Sequence, residues 1–159
     1  MLAWLTKTTI GKIVATFFIS MVPVIELRLG LPYGIALGLD YPVALAAAIL
    51  GNMLPVPFII FFIEAIFAWI RKYLPKLDSF IGKLEKRADD KRDVIEKYGY
   101  FGLMILVAIP LPGTGAWTGS LVAALLQMKP RKAFPFIFLG VLIAAAIMTG
   151  VTYGVKYLI

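Results

Sequence analysis

Glu26 and Arg28 stand two residues apart in PVIELRLGLP, residues 23–32, with apolar runs on either side. An acid and a base in that setting offer two kinds of chemistry. Arginine presents a planar set of donors suited to a phosphate or carboxylate, and glutamate can carry a proton. In a regular helix, side chains two apart point in different directions, so the pair converges only if the backbone turns there. The prolines and glycine around it favour such a turn. An ionisable group within a membrane segment costs about 2.5–3.5 kcal/mol on insertion scales and is kept when it is paired, faces a cavity or acts. Glu26 and Arg28 therefore either pair and fix the turn or serve a site at its floor.

A second interruption, PLPGTGAWTG at residues 110–119, carries no charge but many donors. Gly113 and Gly115 leave backbone amides open, and Thr114, Thr118 and Ser120 add hydroxyls. A helix restarting near Ala116 would turn its positive dipole end toward an anion, and Trp117 would wall an apolar or ring-bearing group. Small residues here serve close helix packing equally well. Asn52, near Pro55 and Pro57, suggests a distorted helix with its amide turned inward. Glu64 is either a second proton site or an interfacial acid. The candidate substrate-binding set is Arg28, Asn52, Gly113, Thr114, Gly115, Trp117 and Thr118. Glu26 and Glu64 are the proton-coupling candidates, and Pro23, Pro32, Pro110 and Pro112 the turn-formers. With no cysteine and no histidine, no metal or other cofactor is expected, and any proton coupling falls to carboxylates. No nucleophile sits beside a base, which argues against an enzyme.

These residues must be positioned by elements that live in a bilayer. Of 159 residues 61% are hydrophobic and 16% charged, with a mean hydropathy of +0.91, a composition of an all-α integral membrane protein forming one domain, residues 1–159. The start of the chain lacks a small-residue cleavage pattern and reads as retained. The apolar stretches are 13–39, 41–70, 100–127 and 133–158. The first and third are broken at their centres, leaving halves of about ten residues, half of what a crossing helix needs. Both read as re-entrant hairpins that turn at membrane depth, where irregular backbone is tolerated only inside protein or along a wet cavity. The second and fourth read as crossing helices.

The layout occurs twice. Pro23 and Pro110, Pro42 and Pro130, and Gly51 and Gly140 are 87, 88 and 89 positions apart, so residues 13–70 and 100–158 form two repeats. One hairpin plus one crossing places the second repeat on the opposite side, which makes the repeat inverted. Between them, residues 71–99 place Leu77, Phe80, Ile81, Leu84, Ala88 and Ile95 on one face of an amphipathic helix. With hairpins, this connector and KPRK, residues 129–132, share one face and hold twelve of the sixteen Lys and Arg. With four full crossings, the alternative, the connector sides with Lys7, Lys12 and Lys156 and again makes twelve, so the positive-inside rule puts the connector in the cytoplasm either way. Trp69 and Tyr73 suit a membrane interface. The net charge of +7 thus reads as a topology signal, and nucleic acid is excluded as a partner.

The phrases IELRLGLPYGIALGL, ILGNMLPVPFI, IPLPGTGAWTGSLVAALL and FLGVLIAA together resemble the small multi-drug export protein family over nearly the whole chain. That family in turn resembles a distant branch of the DedA superfamily, whose members combine two re-entrant hairpins with crossing helices and some of which move lipids or carrier-lipid phosphates. EKYGYFGLMILVAIP is similar to the DedA lead-in but lacks its arginine before the proline, so Arg28 on the other turn is the residue to which that work would fall. The resemblance implies a multi-pass protein of the prokaryotic plasma membrane.

The residues and the resemblance together lead to a transporter or lipid translocase. It would move an amphipathic, phosphate-bearing anion by alternating access around the facing turns, with proton coupling through Glu26 or Glu64. A small-molecule or multidrug exporter, and a membrane-embedded scaffold, are the alternatives. Membrane lipids and a small amphipathic or lipid substrate are the expected partners. The small-residue stripes LAAAILG and GVLIAAAIMTG suit packing within one chain or in a homodimer.

Overall fold

A computed structural model describes residues 6–111 and 113–158, so Pro112, one of the four turn-forming prolines, lies outside the described residues. The described chain is all α-helical apart from turns and one 3-10 segment. Helix α1, Thr9–Met21, starts earlier than the apolar pattern suggests because Thr8 caps it, its hydroxyl accepting the Gly11 amide at 3.0 Å. It stops at Val22, which is extended (φ −72°, ψ 131°), as a residue before proline prefers to be. After the turn at Pro23 the chain resumes as α2, Glu26–Ala36. Pro32 is a correction to the expected turn-formers: it lies inside α2. There it withdraws the amide that would bond the Arg28 carbonyl and bends rather than ends the helix.

Helices α1 and α2 lie side by side. A side chain on Gly30 would strike Ser20, and one on Gly34 would sit 2.8 Å from the Thr16 hydroxyl, so the two helices run antiparallel. Next come α3, Tyr41–Met53, and α4, Pro55–Tyr73. They are joined at Leu54, whose helical dihedrals (φ −58°, ψ −44°) carry the axis across the hydrogen bonds that Pro55 and Pro57 cannot make. Taken together, Tyr41–Tyr73 is a 33-residue helix containing an 18-residue stretch of mean hydropathy 2.2, and it is about 50 Å long at 1.5 Å per residue. It passes the expected end at residue 70.

The expected single connector helix is corrected to two. A 3-10 segment, Pro75–Leu77, precedes α5, Asp78–Asp89, and a break at Asp90 and Lys91 separates it from α6, Arg92–Ala108. Within α6 the backbone kinks at Gly99 (φ 58°). The apolar face is correspondingly divided: Ile81, Ala88 and Ile95 are buried against the protein, while Leu77 and Phe80 are exposed. Arg71 ties α5 back to the end of α4 through Asp78 (2.9 Å) and Glu85 (2.7 Å).

Helix α6 ends at Ile109, extended before Pro110 (ψ 120°), and α7, Ala116–Leu125, follows the turn. The last helix, α8, spans Pro130–Leu158 and starts on its proline, where a missing amide loses nothing. Residues Pro130–Gly154 of α8, which contain an 18-residue stretch of mean hydropathy 2.3, are the second helix among the described residues long and apolar enough to cross a membrane. Helices α1, α2 and α7, of 13, 11 and 10 residues, reach only about 15–20 Å against a hydrocarbon core of about 30 Å.

The two halves share local solutions. Leu39 donates to the Gly34 carbonyl and Gly38 to that of Ile35, and 89 positions on, Met128 donates to Ala123 and Gln127 to Ala124. Gly38 (φ 80°) and Gln127 (φ 51°) both take the left-handed conformation that closes a helix C-terminus. Gly51 packs on the Phe17 carbonyl of α1, and Gly140 on the Met104 carbonyl of α6. The core forms where α2, α3, α6, α7 and α8 meet, around Leu31, Ala48, Leu103, Val122 and Ile137. Phe58, Phe61 and Phe62 of α4 face outward, which is favourable when the surroundings are lipid.

Candidate functional site at the joined turns

Both turns are shaped by backbone that ordinary residues avoid. Val24 (φ 73°) and Glu26 (φ 48°) in the first, and Gly113 (φ 82°) and Gly115 (φ 112°) in the second, are left-handed or beyond. The result is that the Glu26 and Arg28 side chains, divergent in a regular helix, converge: Arg28 Nη1 lies 3.4 Å from Glu26 Oε2.

Both side chains then reach across to the second turn. Arg28 Nη1 donates to the Thr114 carbonyl at 2.8 Å, and Nη2 to the Ile109 carbonyl at 2.8 Å and the Thr114 hydroxyl at 2.7 Å. The Thr114 hydroxyl lies 2.7 Å from the carbonyls of both Ile109 and Leu111 and donates within its own turn. Glu26 accepts the amide of Trp117 at 3.0 Å on Oε1 and that of Ala116 at 3.3 Å on Oε2. Helix α7 has glycine at its N-cap and no cap of its own, so a carboxylate 90 residues away supplies one. Negative charge at a helix N-terminus is favourable on dipole grounds as well. The pair is removed from solvent, with side chains 3% (Glu26) and 12% (Arg28) exposed.

Two further features hold this junction. The Trp117 indole donates to the Met21 carbonyl at 2.9 Å, fastening α7 to the end of α1. At Gly115 a Cβ would overlap the Glu26 carboxylate and stand 2.8 Å from Arg28 Nη1. Only glycine leaves room for the pair.

The amides expected to meet an anion at the restart of α7 thus meet Glu26, and the outer nitrogens of Arg28 are spent on the chain itself. Arg28 Nε, also buried, has no partner among the described residues. Ser120 is likewise corrected: its hydroxyl donates to the Ala116 carbonyl at 2.5 Å, inside α7. Asn52 is buried in α3, its Oδ1 without a partner among the described residues, and it takes no part in the junction's hydrogen bonds. Glu64 is exposed on α4.

Beside the junction lies a cavity of about 410 Å³. Ile59, Ile63 and Phe67, one turn apart on α4, form one wall, and Trp117, Thr118 and Leu121 of α7 the facing one. Glu26, Gly113 and Thr114 border it from the turns, and Phe80, Leu84 and Arg87 border it from α5. Gly113, Thr114, Trp117 and Thr118 of the candidate set therefore border this space together with Glu26; Arg28, Asn52, Gly115 and Glu64 do not. Sequence reasoning missed Arg87, the α4 wall and the carbonyls of Ile109 and Met21. Arg87 is one of nine basic residues in 71–99 and nothing local sets it apart. A wall of isoleucine and phenylalanine looks like any lipid-facing stripe.

The sequence pattern of the small multi-drug export protein family matches residues 26–147, from Glu26 through both turns into α8. No curated protein and no solved structure matches the chain.

Proposed function

From its place in the small multi-drug export protein family, to which the chain belongs, we propose that this membrane protein is an exporter that carries an amphipathic substrate across the bilayer. The observation that carries the reading is the cavity of about 410 Å³ floored by the two joined turns. Its lining is mainly apolar with a few polar groups, which is how small-molecule sites are built.

In this reading α1–α2 and α6–α7 are re-entrant hairpins, and the two long helices cross the membrane. The matching helix closures and the paired glycine contacts of Gly51 and Gly140 support an inverted repeat, and repeats of this kind rock against each other to alternate access. The chain is then a distant relative of the DedA superfamily in a prokaryotic plasma membrane, and a phosphate-bearing lipid is one candidate substrate. Labelling tests the topology in this cysteine-free chain. Single cysteines at Lys7 and Asp40 are expected to react with an impermeant maleimide from the same side, and reaction from opposite sides refutes the first hairpin.

Glu26 is the coupling residue in this mechanism. As a carboxylate it caps α7 and pairs with Arg28. Once protonated, it loses the charge that holds both, and the joint between the halves loosens. Glu26→Gln is therefore expected to leave a folded protein, since the amide keeps one acceptor oxygen. It should also reduce substrate efflux from right-side-out vesicles at least tenfold and make the residual rate insensitive to an imposed proton gradient. Wild-type efflux in this variant would remove Glu26 from the mechanism.

A scaffold is the second reading, favoured by one observation: Arg28 Nη1 and Nη2 are both bonded to the chain. It predicts that no compound leaves the vesicles faster with the protein than without it.

A further inference from the structure

Two charged residues, Glu26 and Arg87, line the cavity that carries the transporter reading, and their settings differ. At the turns, the Glu26 carboxylate is compensated by two amides and by the Arg28 guanidinium. Arg87 lines the same space from α5. It is exposed, and it forms no ion pair among the described residues, unlike Arg71 and Arg92 on either side of it. The uncompensated charge at the cavity is thus a single cation at the rim.

Position reinforces sign. Trp69 and Tyr73 at the end of α4 mark an interfacial level, and Arg71 pins α5 to that same end through Asp78 and Glu85. Arg87 therefore sits where a guanidinium stays hydrated while its methylene stem lies on apolar surface. The same space is lined by the apolar side chains of Phe67, Ile63 and Leu121 and by Trp117. A ligand occupying it has an apolar body inside and one charged group at the rim. The volume sets the size: about 410 Å³ lies toward the low end of pockets for drug-sized ligands, roughly 300–1,000 Å³. One ring system or one short chain fits, and a lipid with two acyl chains does not.

We infer that the cavity selects drug-sized amphipathic monoanions, with Arg87 as the residue that recognises the anionic group. This rests on the exporter reading and narrows its substrate.

The test uses two fluorescent probes with the same aromatic skeleton: anilinonaphthalene sulfonate, which is anionic, and N-phenylnaphthylamine, which is neutral. Each is titrated into the full chain in zwitterionic nanodiscs, with empty discs subtracted. Arg87→Gln is expected to weaken the sulfonate about fivefold, the scale of a partly exposed ion pair, and to leave the neutral probe unchanged. Ile63→Trp fills the space and should abolish binding of both probes, and Leu121→Trp obstructs it equally from α7.

Equal effects of Arg87→Gln on both probes, or tighter binding of the cationic ethidium than of the sulfonate, overturn the anion inference and leave the cavity standing. Retention of both probes by both tryptophan variants removes the cavity itself, and the exporter reading built on it. Displacement of the sulfonate by a two-chain anionic phospholipid, but not by a short-chain sulfonate, overturns the size limit.

Discussion

Arg28→Ala is expected to destabilise the fold by about 3–5 kcal/mol, the range found when one partner of a buried pair is removed. The reason is the number of groups stranded at once. The Glu26 carboxylate, 3% exposed, loses its cation. The part-buried Thr114 carbonyl and hydroxyl lose their guanidinium donors, and the more exposed Ile109 carbonyl, which keeps the Thr114 hydroxyl and the Leu111 amide, loses its link to the first turn. Unpaired buried polar groups are expensive, and the low dielectric that strengthens a satisfied network raises the penalty for a broken one. Thermal unfolding in mild detergent, followed by the loss of monodisperse protein, measures it. Arg28→Lys should recover only part of the loss, because an ammonium is a point charge and cannot bridge two carbonyls as the planar guanidinium does. An Arg28→Ala protein as stable as wild type would show that the turns are held by packing alone.

The second large effect is expected at Gly115. Its dihedrals (φ 112°, ψ −171°) fall in a region open essentially to glycine, where other residues are strained by about 1–3 kcal/mol. An alanine there also pushes its Cβ into the Glu26 carboxylate. Gly115→Ala should therefore carry both penalties, lowering the unfolding midpoint and uncapping α7 by displacing Glu26 from the Ala116 and Trp117 amides. Gly113 separates the two causes. It too is left-handed (φ 82°), but nothing lies within 4 Å of a Cβ built there. Gly113→Ala should show the backbone penalty alone, about 1–2 kcal/mol. Equal midpoints for the two variants would mean that the contact with the Glu26–Arg28 pair contributes nothing.

The local architecture was largely legible. Pro23 and Pro110 mark the two turns because the residue before a proline is driven out of the helical region, as at Val22 and Ile109. The restart at Ala116 follows from the glycines before it. Pro32 misled because proline reads as a breaker, whereas a helix whose neighbours cover the freed carbonyl tolerates it as a bend. The connector misled for a different reason. Its apolar spacing is compatible with one continuous helix, and the break at Asp90 and Lys91 depends on where Ile81, Ala88 and Ile95 find protein to pack against.

The sequence by itself determined that this chain lives in a membrane, that two of its apolar stretches are interrupted, and that an acid and a base sit in one interruption. These follow from composition and from steric rules acting over a few residues. The tertiary structure alone decided what the acid and base are for. Glu26 serves the amides of Ala116 and Trp117, and Arg28 the carbonyls of Ile109 and Thr114. Those partners lie more than 80 positions away, and no local pattern names them. The same holds for Arg87, one basic residue among nine in the connector, which faces the cavity because Arg71 fastens α5 to the end of α4. Hydrogen bonds are short-ranged and directional, so their pairing is settled only when packing has brought distant segments within about 3 Å.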